Sequence, residues 1–202
     1  MNDSAKKFWH AVDDDDMARV KQLVEQSPEL VRKRYFGVAW KPEEIEGFEF
    51  SNTALHTAAV NSRVPLAKLL IKFGADINAI GYEENKGLTP PIVLAAWEGS
   101  LEMLRLLLDA GADLNCPASA ETALYCAAEH KAMDKVKLLL ERGARHDIFT
   151  AAILGEVNLV KHFATAYPPL LQARSQKRNR TVLEEAQHFG QQSVVQLLES
   201  IQ

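Results

Sequence analysis

Six segments of the chain share one pattern of small, polar and aliphatic residues. Each segment begins with an alanine, and in most of them aliphatic residues follow nine, twelve and thirteen positions later, as Leu104, Leu107 and Leu108 follow Ala95. Aliphatic residues at these spacings lie on one face of an amphipathic α-helix. The six starting alanines are Ala11, Ala58, Ala95, Ala127, Ala151 and Ala186. The pattern therefore predicts six copies of a helix-containing unit.

The spacing between the copies is irregular. The starting alanines are 47, 37, 32, 24 and 35 residues apart, so insertions and deletions must lie between the copies. Periods of roughly 20–50 residues are typical of stacked repeat proteins, in which no single copy can bury its hydrophobic face alone. The interval of 24 leaves no room for a complete connecting loop after Gly143, and Asp147 is placed to cap the helix that follows.

The turn after the second helix of a copy has a sequence motif that occurs three times. It reads GADIN at 74–78, GADLN at 111–115 and, in altered form, GARHD at 143–147. Each glycine follows an aliphatic helix end, where a left-handed residue without a Cβ closes the last turn with little strain. We expect each copy to leave its second helix through this glycine, project a finger and return to start the next copy.

Three segments at the start of the first helix resemble the ankyrin signature T-P-L-H-x-A. They are TALHTAA at 53–59, PPIVLAA at 90–96 and TALYCAA at 122–128, and the GADIN and GADLN turns are similar to the ankyrin hairpin. The resemblance covers roughly residues 6–202. It implies an all-α ankyrin-repeat solenoid of about six helix-turn-helix repeats with short or irregular hairpin fingers.

The same register divides the chain into repeats. The predicted limits are about 5–50, 51–87, 88–120, 121–146, 147–179 and 180–202, all within a single domain of residues 1–202. Thr53, Thr122 and Thr181 stand where first helices begin, and threonine caps helices well because its hydroxyl accepts from an unpaired backbone N–H. The polar residues of the terminal repeats, Glu184 and Glu185 among them, are expected on outer faces that keep the stack soluble.

The resemblance implies a non-catalytic scaffold, adaptor or inhibitor that binds a partner protein. In ankyrin proteins the residues just after the Ala-Ala step face a concave groove and vary with the partner, and fingers add contacts. The predicted partner-binding residues are Trp40, Phe48, Val60, Asn61, Tyr82, Trp97, Glu98, Glu129, His130, Ile153, Leu154, His188 and Phe189. An exposed row that includes Trp97, Ile153 and Phe189 would be unusually apolar. The alternative is that these side chains pack on neighbouring repeats.

Two further features bear on these roles. The proline-containing segments 27–30 and 167–170 resemble those of bacterial ankyrin proteins, which favours adaptor or inhibitor roles. Residues 35–50, in the long first interval, hold five aromatic residues beside four glutamates. Long loops often carry function, and aromatic side chains anchor interfaces. This segment therefore either contacts a partner, through Trp40 and Phe48, or folds back over the first repeat.

Composition argues against several classes of protein. The chain has 47% hydrophobic residues, 25% charged residues and a formal net charge of −4, so it is globular and lacks the basic excess that general nucleic-acid or anionic-membrane binding needs. Its two cysteines lack a metal-ligand spacing, and we find no signal peptide and no apolar run that could span a membrane. We expect a cytoplasmic monomer without a cofactor.

Two other functions stay open at the level of sequence. A metal site, ligand site or enzyme would use Asp13–Asp16, Glu43, Glu46 or His130, although the register places the aspartates in a turn, where they cap the next helix. The basic loop at 174–180 would contact nucleic acid. P-loop, GxGxxG, GxSxG and HExxH motifs are all missing, so we predict no catalytic residue and no metal site. With repeats from end to end, few residues are expected to remain for a catalytic domain.

Overall fold

The computed structural model describes residues 3–35, 52–83, 87–116, 121–176 and 178–201. The chain divides into two compact units, Met1–Ser119 (unit 1) and Ala120–Gln202 (unit 2). Both units are built from helix pairs, so the predicted all-α class of helix-turn-helix repeats is confirmed. The single domain and its repeat limits stay predictions.

Unit 1 contains three helix pairs among the residues described. Its helices are α1 (Asp3–Asp13), α2 (Met17–Gln26), α3 (Ala54–Val60), α4 (Val64–Lys72), α5 (Pro91–Trp97) and α6 (Leu101–Asp109), and a 3-10 helix (Pro28–Arg32) follows α2. The first helices of the second and third pairs, α3 and α5, pack side by side, and so do the second helices, α4 and α6. The second and third pairs therefore stack in register, first helix on first helix.

Two short antiparallel ribbons lie between the helix pairs of unit 1. Strand β1 (Arg34–Tyr35) pairs with β2 (Asn52–Thr53), and β3 (Gly81–Glu83) pairs with β4 (Gly87–Thr89). Each ribbon leads directly into a first helix, since β2 runs into α3 and β4 is followed by α5. These ribbons are the predicted fingers.

Unit 2 also contains three helix pairs in its described part. They are α7 (Ala123–Glu129) with α8 (Met133–Glu141), α9 (Ile148–Leu154) with α10 (Val157–Ala166), and α11 (Val182–His188) with α12 (Gln192–Ser200); a 3-10 helix (Pro168–Leu171) follows α10. The first helix α9 packs between the first helices α7 and α11. Residues 142–147 join α8 to α9 without a strand, and Asp147 caps α9 by accepting from the Thr150 N–H at 2.6 Å. The predicted tight connection is confirmed.

Small side chains and threonine caps explain why the first helices are short and closely packed. The Ala-Ala steps of α3, α5, α7 and α9 are all buried, and alanine lets neighbouring backbones approach. Thr122 Oγ1 accepts from the Tyr125 N–H at 3.1 Å, and Thr181 Oγ1 accepts from the Glu184 N–H at 3.3 Å. Thr53 is the N-cap of α3. The three predicted caps are confirmed.

A hydrogen bond links the two GADxN turns of unit 1. Gly74 and Gly111 have φ angles of +80° and +91°, the left-handed conformation that a glycine adopts without strain. Asp76 accepts from the Asn78 N–H at 3.0 Å, and Asn78 Oδ1 then accepts from the backbone N–H of Asp113 in the next GADxN turn at 2.8 Å. The asparagine of the first turn therefore bonds the backbone of the second turn within unit 1.

Replacing Gly99 by alanine should lower the free energy of unfolding of unit 1, toward the upper end of the roughly 1–3 kcal/mol typical of overpacking. A Cβ at Gly99 would lie 2.6 Å from the carbonyl oxygen of Ala59 and 2.7 Å from the Cα of Ala95. Both are backbone atoms, so α3 and α5 would have to separate to relieve the contact with Ala59, and the end of α5 would have to distort to relieve the contact with Ala95. Urea unfolding followed by tryptophan fluorescence measures the effect, because all three tryptophans, at 9, 40 and 97, belong to unit 1.

Gly111→Ala is the matched control for that substitution. A Cβ at Gly111 would meet no described atom within 4 Å, so alanine there costs only left-handed backbone strain, about 1 kcal/mol. A Gly99→Ala protein as stable as Gly111→Ala would show that the approach of α5 to α3 tolerates a methyl group.

Candidate functional site

The ends of the first helices in unit 1 carry four of the predicted partner-binding residues. Val60 is the last residue of α3 and Asn61 its C-cap, while Trp97 and Glu98 hold the same places on α5. Val60 and Trp97 are half-buried, whereas Asn61 and Glu98 are exposed. Since α3 and α5 pack on each other, the structure brings these four residues to equivalent places on adjacent helices. We call them the unit 1 helix ends.

Hydrogen bonds hold the turns that follow the first helices of unit 1. Arg63 Nη1 donates to the carbonyl oxygen of Val12 at 2.5 Å, and its Nε lies 3.6 Å from Asp15 Oδ1. The Ser100 N–H donates to Ser62 Oγ at 2.6 Å. Successive turns are therefore tied to each other, the first to the second and the second to the third. These contacts hold the turns that directly follow the unit 1 helix ends.

The equivalent helix ends of unit 2 are less open than expected. Ile153 is 3% exposed, so the expectation of an exposed Ile153 is wrong. The reason is that α9 is enclosed between α7 and α11, which leaves this side chain inside the unit. Leu154 is half-buried and lines a shallow apolar hollow with Met133, Val136 and Leu140. Leu154 is thus the part of α9's end that reaches the surface.

Three other predicted residues of unit 2 are engaged by one arginine. Arg178 Nη2 donates to Glu129 Oε1, and Arg178 Nη1 donates to His188 Nε2 at 3.0 Å. The guanidinium carbon also lies 5.8 Å from the centre of the Phe189 ring, in a cation–π arrangement. Arg178 therefore joins the end of α7 to the end of α11. His130, next to Glu129, is exposed.

A buried carboxylate lies at the centre of unit 2. Glu185 on α11 is 0% exposed, and its Oε1 accepts from Ser175 Oγ at 2.9 Å and from the Tyr125 hydroxyl at 3.3 Å. Its Oε2 lies 3.7 Å from Arg180 Nη1. Burial, together with the nearby charge of Glu185, raises the pKa of the Tyr125 hydroxyl above its ordinary value. The expectation that Glu185 lies on a polar outer face is wrong.

The repeat register contained a signal for this burial. Leu94, Cys126 and Thr150 immediately precede the starting alanines of their repeats, as Glu185 does, and all three are fully buried. The equivalent residues of the first two repeats, His10 and Thr57, are exposed and half-buried, so the register indicated burial in three of the five other repeats. The polarity of Glu185 favoured an outer face, and no local pattern in the sequence pointed to its partners Tyr125 and Ser175.

The alternative acidic site is not assembled in the described part of the chain. Asp16 Oδ1 caps α2 by accepting from the Arg19 N–H at 2.9 Å, as the register predicted for this run of aspartates. No group of three or more histidine, cysteine, aspartate or glutamate side chains among the described residues could hold a metal ion. Glu43 and Glu46 lie outside the described residues, as do the predicted contact residues Trp40 and Phe48.

Tyr82 belongs to β3, but its side chain is outside the described part of the structure. Among the residues described, no helix is long and apolar enough to cross a membrane.

Comparisons with known proteins agree on one family. A family model described as ankyrin repeats (3 copies) matches residues 8–118 and 80–150. Human ankyrin repeat and KH domain-containing protein 1 is 38% identical over 100 residues, which are 48% of this chain and 4% of that protein. Human ankyrin repeat and SOCS box protein 16 is 34% identical over 143 residues, 70% of this chain and 30% of that protein.

An enzyme is also among the similar proteins. The serine/threonine-protein kinase VIK of Arabidopsis thaliana is 29% identical over 104 residues, 52% of this chain and 20% of the kinase. The chain thus spans 4%, 30% and 20% of the length of these three relatives. The similarity covers only a minor part of each relative.

Proposed function

Because the chain belongs to the ankyrin-repeat family, whose repeats generally mediate protein–protein interaction, we propose that it binds a partner protein and performs no chemistry of its own. The principal contacts we assign are the unit 1 helix ends, Val60, Asn61, Trp97 and Glu98. The observation that carries this assignment is that the adjoining turns are tied to one another before any partner arrives. A scaffold that is ordered in advance loses little conformational entropy on association.

The composition of the unit 1 helix ends suits a protein interface. Half-buried Trp97 and Val60 offer apolar area, and exposed Asn61 and Glu98 beside them offer polar groups. Interfaces commonly combine an aromatic anchor with a polar surround, and tryptophan is enriched among the residues that carry most of the binding energy. Trp97 is therefore the residue we assign as the anchor.

Unit 2 adds a second apolar contact in this proposal. Met133 is 59% exposed, and it lines the hollow with Leu154, Val136 and Leu140. The rim carries Lys137, which pairs with Glu141 at 4.0 Å, so the apolar floor lies beside polar groups. We assign the hollow to contact with an apolar side chain of the partner.

A protein partner is favoured over nucleic acid by the state of the basic loop. Arg174 lies 3.3 Å from Glu184, Arg178 pairs with Glu129, and Arg180 lies 3.7 Å from Glu185. These arginines have carboxylate neighbours within unit 2, so they offer phosphate groups little uncompensated charge. The chain's net charge of −4 also disfavours binding to nucleic acid.

The remaining parts of the proposal rest on composition and family. A non-catalytic role agrees with the sequence, which lacks the common catalytic motifs, although ankyrin repeats also occur within a kinase. A monomeric state and a cytoplasmic location stay predictions, as does the resemblance to bacterial members.

Trp97→Ala should weaken binding of the partner by about 30-fold or more, because truncating an aromatic anchor typically costs 2 kcal/mol or above. Affinity capture from the native cell would identify the partner, and titration with the purified partner would give the dissociation constants. Leu154→Asp tests the hollow of unit 2 separately, since a charge there would be desolvated on contact.

Arg105→Ala, at an exposed position on the second helix α6, is the control and should leave binding unchanged. Circular dichroism should show each variant folded. If the partner binds wild type and Trp97→Ala with equal affinity, the unit 1 helix ends are not the contact surface. Turnover of any substrate by the pure protein would contradict the non-catalytic assignment.

A further inference from the structure

We propose that the place filled by Arg178 in unit 2 is a binding site for an arginine side chain of the partner protein. The inference rests on the proposed function and specifies the partner's chemistry, namely a segment whose arginine takes the place of Arg178. The site is formed by Glu129, His188 and Phe189, with the charge of Glu185 nearby. We call it the arginine pocket.

Each wall of the arginine pocket suits a guanidinium group. The Glu129 side chain, 5% exposed, accepts from one terminal nitrogen, and His188 Nε2 accepts from the other at 3.0 Å. The Phe189 ring lies 5.8 Å from the guanidinium carbon. A planar cation with donors at fixed angles and a face for an aromatic ring meets all three demands, whereas the compact ammonium group of lysine does not.

Arg178 satisfies the pocket incompletely. Its Nε is buried without a hydrogen-bond partner, and the same is true of Glu185 Oε2 and Arg180 Nη1, as far as the described residues extend. A buried polar atom left without a partner typically costs about 1–3 kcal/mol. Such groups in a folded protein call for an explanation. A guanidinium can only donate hydrogen bonds. An arginine from outside is not tethered to the 174–181 loop, so it can take an orientation that turns one of its N–H groups toward Glu185 Oε2, the acceptor that Arg178 leaves open.

The Arg178 side chain can leave the pocket without unfolding its loop. The loop is closed by bonds between the Ser175 N–H and the Arg180 carbonyl at 2.8 Å, and between the Asn179 N–H and the Ser175 carbonyl at 2.9 Å. Arg174 Nη1 also donates to the Asn179 carbonyl at 2.5 Å. None of these bonds uses the side chain of Arg178, which is 27% exposed and therefore reaches solvent.

Departure of Arg178 from the pocket is unfavourable when no other cation takes its place. Glu129 would then lose the arginine that now pairs with its carboxylate. Glu185 would keep its contacts with the Ser175 and Tyr125 hydroxyls and with Arg180. Buried carboxylates need a cation or hydrogen-bond donors close by. Departure of Arg178 therefore leaves a place for a cation beside Glu129, and a partner arginine would fill it.

The test is an NMR titration of the full chain with the peptide acetyl-Gly-Arg-Gly-amide and with its lysine counterpart. Wild type, Arg178→Ala, and Arg178→Ala combined with Glu129→Gln are compared. We expect Arg178→Ala to bind the arginine peptide about tenfold or more tightly than wild type, because the internal competitor is gone. The lysine peptide should bind more weakly, and Glu129→Gln should abolish the gain. Signals of His188 and Phe189 should shift on binding.

Arg145→Ala is the control, since Arg145 is an exposed arginine of unit 2 outside the 174–181 loop, and it should show no gain. If Arg178→Ala is poorly folded, its melting temperature is measured with methylguanidinium and with methylammonium. Selective stabilisation by methylguanidinium supports the pocket, and equal effects of the two ions overturn it. Folded Arg178→Ala protein that does not distinguish the two peptides also overturns it.

The outcome is separable from that of the proposed function. A partner whose capture depends on Trp97 but is unchanged by Arg178→Ala and by Glu129→Gln would leave the protein-binding function standing and remove the arginine pocket from it. Arginine-selective peptide binding without any Trp97-dependent partner would support the arginine pocket and contradict the assignment of the unit 1 helix ends.

Discussion

Lowering the pH from 6.5 to about 4 should remove about 3 kcal/mol from the free energy of unfolding of unit 1, because His56 must stay neutral in the fold. Burial lowers the pKa of His56 from its ordinary 6.5 to about 4. In this window the unfolded chain binds a proton that the folded chain does not, so stability is complete above pH 6.5 and falls as the pH falls. Each unit of pKa difference corresponds to about 1.4 kcal/mol.

The hydrogen bonds of His56 fit the neutral ring. Its Nδ1 accepts from the Thr53 N–H at 3.1 Å, and its Nε2 faces the Thr89 carbonyl oxygen at 3.1 Å and donates to it. The ring thus joins the start of α3 to strand β4 of the next finger. A proton on Nδ1 would face the Thr53 N–H and break this arrangement.

Urea unfolding at a series of pH values, followed by tryptophan fluorescence, measures the His56 effect. The fall in the free energy of unfolding between pH 6.5 and 4 should be smaller in His56→Gln, because glutamine does not titrate in this range. The control His10→Gln, which replaces an exposed histidine, should show the same fall as wild type. A His56→Gln protein with the wild-type slope would show that other groups cause the loss.

Glu185→Ala should lower the free energy of unfolding of unit 2 by about 3 kcal/mol. The substitution removes the acceptor of the Ser175 and Tyr125 hydroxyls and the carboxylate that faces Arg180. The two hydroxyls would remain in buried side chains without their present partner, which is the costly outcome for a buried polar group. Ser175 closes the 174–181 loop, so the backbone amides of this loop should also exchange hydrogen faster.

Hydrogen exchange of peptides from residues 120–202 is the measurement for Glu185, because no tryptophan lies in unit 2. Glu185→Gln keeps an acceptor oxygen for the two hydroxyls, so it should lose less protection from hydrogen exchange than Glu185→Ala. Glu199→Ala, at an exposed position on α12, should have little effect. Wild-type protection in Glu185→Ala would mean that the buried network contributes nothing to stability.

The repeat architecture could be predicted because each of its elements depends on residues close together in sequence. Thr122 and Thr181 bond backbone groups three residues ahead, and Gly74 and Gly111 end the helices that precede them. The aliphatic register identified the buried faces, since hydrophobic burial follows helical periodicity. Even the direct connection through Asp147 followed from counting residues.

The candidate site was predictable only as a set of positions. Register placed Val60, Asn61, Trp97 and Glu98 at the ends of α3 and α5, where the structure has them. It also placed Ile153 and Glu129 at helix ends, but it did not show that the first is buried and the second bound to Arg178. Position on a helix comes from local periodicity, whereas exposure depends on what packs around that helix.

By itself the sequence determined the family, the helix pairs, their caps and the glycine turns, because adjacent residues hold the physical cause of each. Only the tertiary structure decided that Glu185 is buried with Ser175 and Tyr125 and that Arg178 lies on Glu129. These contacts join residues 10, 60 and 49 positions apart. Contacts over such separations form when several repeats stack and a loop folds onto them, and no local pattern of hydrophobic and polar residues specifies which charged groups then meet.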